Sequence, residues 1–144
     1  MSNRLRYILI GILVVFLVIV RFYEEKFFND RLLNFFTYAY LTDPLPETGF
    51  MEIYKIIALR YFVNSLISIL ILLLLFKQKN LLKFLLLFYF TAFVILSLFL
   101  YYEWTHYTPG KYLFLFYVRR LLIHPVFLFI LIPALLFHQL EKGK

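Results

Sequence analysis

A polytopic, all-α membrane fold with four transmembrane helices is predicted by three features of the sequence. Hydrophobic residues make up 64% of the 144, and the mean hydropathy of +0.86 exceeds that of soluble domains. Long uncharged runs recur along the chain, separated by short polar or Pro-containing stretches. The 15 basic residues are distributed unevenly about those runs in a way that fits a membrane orientation. The aromatic share of 22%, with 19 Phe and 12 Tyr, agrees, because a bilayer takes Phe in the hydrocarbon and Tyr at the interface. The chain leaves no room for a soluble domain beside the membrane domain, so residues 1–144 are read as one unit.

The first span is expected over residues 5–23. Arg4 and Arg6 precede an apolar run that ends at Arg21. That layout resembles a signal peptide, but charged residues follow where a small-x-small cleavage site would stand, so an uncleaved helix is expected. Its uncharged centre is short for about 30 Å of hydrocarbon, and Arg6 and Arg21 must therefore snorkel. Residues 24–50 hold bulky apolar groups on most turns with polar ones between, and no run long enough to span. They are read as a helix lying in the external interface, ended by the stiff Asp43-Pro44-Leu45-Pro46 turn.

The second span is expected over 53–76. Arg60, Asn64 and Ser68 recur every four residues and form one polar stripe, which cannot favourably face lipid and should look into the bundle. Lys77-Gln78-Lys79-Asn80 is a tight polar turn. The third span, 81–102, is nearly featureless, and Pro109-Gly110 breaks the chain before the fourth.

The fourth span, 112–139, carries Arg119 and Arg120 inside an apolar run. A charged side chain at bilayer mid-depth costs on the order of 2.5 to 3.5 kcal/mol on insertion scales, so such residues usually have a reason. Arg120 and His124 are four apart and share a helix face. Pro125 deprives the Leu121 carbonyl of its helical partner, and Pro133 does the same to Phe129, so a loosened backbone is expected at both.

Four spans place both termini on one side. That side carries seven basic residues (Arg4, Arg6, Lys77, Lys79, Lys83, Lys142, Lys144) against Glu141, and the other eight against seven acidic ones. The positive-inside rule makes the termini cytoplasmic. Arg21, Glu24, Glu25, Arg60, Glu103, Arg119 and Arg120 then fall in the outer half of the bilayer. Glu24 and Glu25 are the candidate counter-ions for Arg60, Arg119 and Arg120, since buried charges need partners. Two readings of the arginines stand side by side. In one they pair with these glutamates or with lipid phosphates and hold the bundle together. In the other at least one of Arg60, Arg119 and Arg120, with His124, contacts a partner protein or an anionic group.

Catalytic sets are not visible. The chain has no cysteine, which excludes disulfides, thiolate metal sites and a cysteine nucleophile. Asp30 and Asp43 lie outside the spans, no H-E-x-x-H occurs, and His106, His124 and His138 lie at different depths. Four glycines are too few for phosphate-cradling loops. The net charge of +7 is explained by the membrane and does not call for nucleic acid. No catalytic residues, cofactor or metal are therefore expected. A small subunit of a transporter or of another membrane complex is the alternative to an accessory subunit.

Residues 116–134, FYVRRLLIHPVFLFILIPA, resemble the exosortase F system-associated family of small bacterial membrane proteins. The likeness continues in Arg21 to Glu24, in YLTDPLPE from Tyr40 and in RYFVNSLIS from Arg60. The resemblance implies a bacterial inner-membrane partner of an exosortase, a multi-span transpeptidase-like enzyme that processes proteins with C-terminal sorting signals. Exosortases use a cysteine nucleophile and this chain has none, so the implied role is accessory.

Overall fold

The computed structural model of the protein describes residues 2–23, 50–106 and 113–143. Those residues form five helices: α1 (Asn3–Phe22), α2 (Phe50–Leu75), α3 (Leu81–Thr105), α4 (Leu113–Ile123) and α5 (Val126–Lys142). There is no strand among them. The segment read as an interfacial helix, with Glu24 and Glu25, lies outside the described residues, as do the Asp43–Pro46 turn and Pro109-Gly110.

Local chemistry explains the helix ends. The Ser2 hydroxyl accepts from the Leu5 amide at 3.3 Å and opens α1. Between α2 and α3 the chain reverses through Asn80, whose φ of 65° is the left-handed conformation that Asn tolerates better than most residues. The starts of α1 and α2 and the end of α3 lie two to three residues beyond the sequence reading. α2 begins at Phe50, so Arg60 lies ten residues into it, about 15 Å at 1.5 Å per residue.

α2 is the hub and packs against each of the other four helices. Its buried set includes Ile53, Ile57, Tyr61, Ile71 and Leu72 together with Arg60, Asn64, Ser65 and Ser68. Leu85 and Leu100 of α3 and Leu115 and Leu122 of α4 complete the densest part of the core, each at most 1% exposed. α1 differs: none of its residues is buried, and it reaches the core only through half-buried Ile10, Leu13 and Leu17. Leu66, Leu87, Phe90, Leu98 and Phe129 point outward. Outward apolar side chains suit a bilayer, where helices associate through packing and hydrogen bonds and not through a hydrophobic drive between them.

Three helices, α1, α2 and α3, are long and apolar enough to cross a membrane. The fourth predicted span is corrected. The stretch 112–139 is not one helix but the pair α4–α5, bent by 63°, which makes a fourth crossing only if the two are counted together. The bend sits at His124-Pro125. Proline disfavours helical backbone at the preceding residue and has no amide to donate, so the helix ends before it. Pro125 adopts φ −77° and ψ 49°, and the Val126 amide donates to the His124 carbonyl at 2.8 Å, an inverse γ-turn. At Pro133 the helix does not end: α5 continues through it.

Candidate functional site

The bend is held from outside its own helix. Asn64 of α2 donates from Nδ2 to the Ile123 carbonyl at 2.6 Å. Ile123 is the last residue of α4, and its carbonyl is among those a helix end leaves without an intrahelical donor. The bend turns the chain away before the Phe127 amide can reach this carbonyl as in a continued helix, and the Val126 amide is committed to His124, so a side chain from a neighbouring helix supplies the cap. The polar stripe read from the sequence therefore faces inward as expected. Arg60 is 3% exposed, Asn64 8% and Ser68 0%.

A second tie comes from α1. Arg21, at its C-terminal end, places Nη1 3.2 Å from both ring nitrogens of His124. Guanidinium can only donate, so the accepting imidazole nitrogen carries no proton in this contact. The tie brings the end of α1 against the γ-turn and closes the top of a groove between α1, α2 and the α4–α5 bend.

The groove has a volume of about 530 Å³. One end is lined by Arg21, Arg60, Asn64, Arg120 and His124; the rest is apolar, with Val14, Leu17, Ile71, Leu75, Leu128 and Ile132 among its walls. Three guanidinium groups and an imidazole thus crown an apolar trough. The arrangement can hold an anionic group attached to an apolar body.

Of the four residues expected to act together, Arg60, Arg120 and His124 meet at this groove and Arg119 does not line it. Arg119 is 2% exposed, whereas Arg120 is exposed. Adjacent residues on a helix point about 100° apart, which sends one arginine into the bundle and leaves the other at its surface. The counter-ion expectation for Glu24 and Glu25 falls outside the described residues. Arg21 also lines the groove; the sequence reading grouped it with Arg60 and Arg120 only by expected depth. Its partner, His124, is 103 residues away, and no local pattern links them. Asn64 was read as part of a stripe; that it caps a helix end depends on a break in another helix.

Among the described residues there is no group of three His, Asp or Glu side chains placed to hold a metal ion. Two hydroxyls near the core act between helices: Tyr61 donates to the Tyr89 carbonyl at 2.6 Å and Tyr54 to Ser97 Oγ at 3.1 Å. No protein-family model, curated protein or solved structure matches the chain.

Proposed function

We propose that the protein is a non-catalytic accessory subunit of a bacterial inner-membrane processing enzyme of the exosortase kind. In this reading it is a four-pass protein with both termini in the cytoplasm, counting α4–α5 as one bent span. The seven basic residues against one acidic residue on the terminal side support that orientation. The observation that carries the functional reading is the convergence of Arg21, Arg60, Arg120 and His124 on one groove. Cations at this depth are expensive to keep, and they mark places where an anionic group is engaged. The engaged group belongs to the partner enzyme or to the substrate segment it processes, and the resemblance at residues 116–134 favours an exosortase as that partner.

Co-purification in mild detergent tests the reading. Recovery of a multi-span cysteine transpeptidase, lost on Arg120→Gln at unchanged abundance, is the expected result. Stoichiometric recovery of an ATPase or a solute carrier would replace the reading with a transporter subunit. Labelling from the cytoplasmic side of a cysteine introduced at Asn34 would overturn the orientation.

A further inference from the structure

We infer that Arg120 is the docking cation of the protein: in the complex it pairs with a carboxylate carried at mid-membrane depth by a transmembrane helix of a different protein. The inference rests on the reading of the chain as a subunit of a membrane complex and names the group its partner must present.

Arg120 differs from the cations around it. Arg21, Arg60, Arg119 and His124 each interact with other groups of the protein. The Arg120 side chain is exposed and has no hydrogen bond or ion pair among the described residues. It shares an outward face of α4 with Tyr117 and Leu113, three and seven residues earlier, which are 51% and 59% exposed. The Tyr117 hydroxyl, one turn away, makes no hydrogen bond among the described residues either. The rest of α4 carries the buried Leu115, Val118 and Leu122 and packs on α2 and α3. A cation and a hydroxyl donor thus stand on the side of α4 that the protein leaves uncovered.

The depth of Arg120 selects the counter-ion. α3 runs antiparallel to α2, and Phe114 meets Phe99, so α4 starts toward the same end as α2. The bond from Asn64 to the Ile123 carbonyl then puts Arg120 level with Tyr61. Tyr61 is 11 residues from Phe50 and 14 from Leu75, about 16 and 21 Å at 1.5 Å per residue. Phe50 packs on Tyr101 and Trp104, residue types of the membrane interface. Half the hydrocarbon of a bilayer is about 15 Å, so Arg120 stands near its middle and is remote from the phosphates of both leaflets. A partner helix has its backbone carbonyls committed to its own amides, so the acceptor must be a side chain. A carboxylate is the one that accepts both limbs of a guanidinium and also cancels its charge. Among the described residues Glu52, Glu103 and Glu141 lie in the first or last turn of their helices. Neither this chain nor a second copy inserted the same way brings one of them to the level of Arg120, which assigns the carboxylate to another protein.

Energy transfer between the labelled full-length protein in phosphatidylcholine liposomes and a labelled polyleucine helix of about 20 residues tests the pairing. A peptide with one Glu at its centre should associate about fivefold more tightly than the same peptide with Gln or Leu there, or with the Glu moved to within a turn of its end. Arg120→Gln should reduce these preferences to below about twofold, and Arg120→Lys should keep part of them, because Lys supplies the charge without the fork. The comparison of central with displaced Glu uses only the wild-type protein and decides the matter even where a variant fails to insert. Equal association of the Glu and Gln peptides overturns the inference, and so does a full preference in Arg120→Gln. A preference that vanishes when phosphatidylglycerol is mixed into the liposomes would make lipid phosphate the counter-ion and overturn it too. Energy transfer between two copies of the protein that disappears in Arg120→Gln would make a second copy the occupant, with the same consequence. The measurement uses no transpeptidase. Recognition of the Glu peptide without a recovered transpeptidase would sink only the exosortase reading, and the reverse result only the pairing.

Discussion

Two faces of α2 meet their neighbours in opposite ways. Against α3 the contact is closed and neutral. Tyr54 reaches Ser97 and Tyr61 reaches the Tyr89 carbonyl, in antiparallel register, and rings of Phe50, Tyr54, Tyr61 and Phe62 pack on Tyr101, Trp104 and Phe93 with centroids 5.0–6.2 Å apart. Against α1 the same helix presents Arg60 and Asn64 to a groove, and α1 buries nothing. The difference lies in how many partners each polar group needs. A hydroxyl is satisfied by one acceptor and lets two helices close over it. A guanidinium has five donors and keeps space around itself. In a membrane, where helices are held by packing and hydrogen bonds, the neutral face serves as scaffold and the cationic face lines the candidate site.

The sharpest way to break this comparison is to delete side-chain volume on each side. Leu85→Ala, in the closed core at 0% exposure, should lower stability by about 2 kcal/mol or more, because a well-packed site cannot collapse around the void. Leu13→Ala on half-buried α1 should cost well under half as much. Unfolding in mild detergent, measured by steric trapping, compares them; equal losses would mean that α1 is as much scaffold as α3.

Asn64→Leu comes next. It keeps the volume roughly constant and removes the donor to the Ile123 carbonyl, leaving a buried acceptor without that bond at about 1–3 kcal/mol. It should also change the angle between α4 and α5, read as a distance between spin labels at Phe116 and Phe137. A bend unchanged in the variant would show that Pro125 alone sets it.

The two adjacent arginines sharpen the comparison further. Arg119→Gln, in the buried position, should lower membrane abundance several-fold, while Arg120→Gln should leave abundance near wild type and reduce only ligand or partner recovery. Quantitative blotting and partner recovery from the same samples separate the two effects. Equal losses of abundance would make both structural.

Tyr61→Phe is the smallest expected effect. Its bond to the Tyr89 carbonyl is short, but interhelical hydrogen bonds in membranes average about 0.6 kcal/mol, and the ring contacts survive the substitution. A loss above about 2 kcal/mol would mean that the hydroxyl, and not the ring stack, holds α2 to α3.

The sequence by itself determined the class of the fold, the three long apolar helices within a few residues, and the inward stripe of Arg60, Asn64 and Ser68. Each of these is periodic and local: apolar runs set span length, and a spacing of four fixes one helix face. It also located a weakness at Pro125, because a missing amide is a covalent fact. Tertiary structure alone decided which weakness became a bend. Pro133 is equally unable to donate, yet α5 runs through it, whereas at Pro125 the Asn64 amide reaches across from α2 to take the freed end of α4. The same bend carries His124 to Arg21 across 103 residues, and the way α4 packs on α2 and α3 decides that Arg119 is the arginine turned inward while Arg120 opens on the groove. Those outcomes depend on where a second and a third helix pass, and a backbone carbonyl or a guanidinium finds its partner in space without leaving any period in the chain.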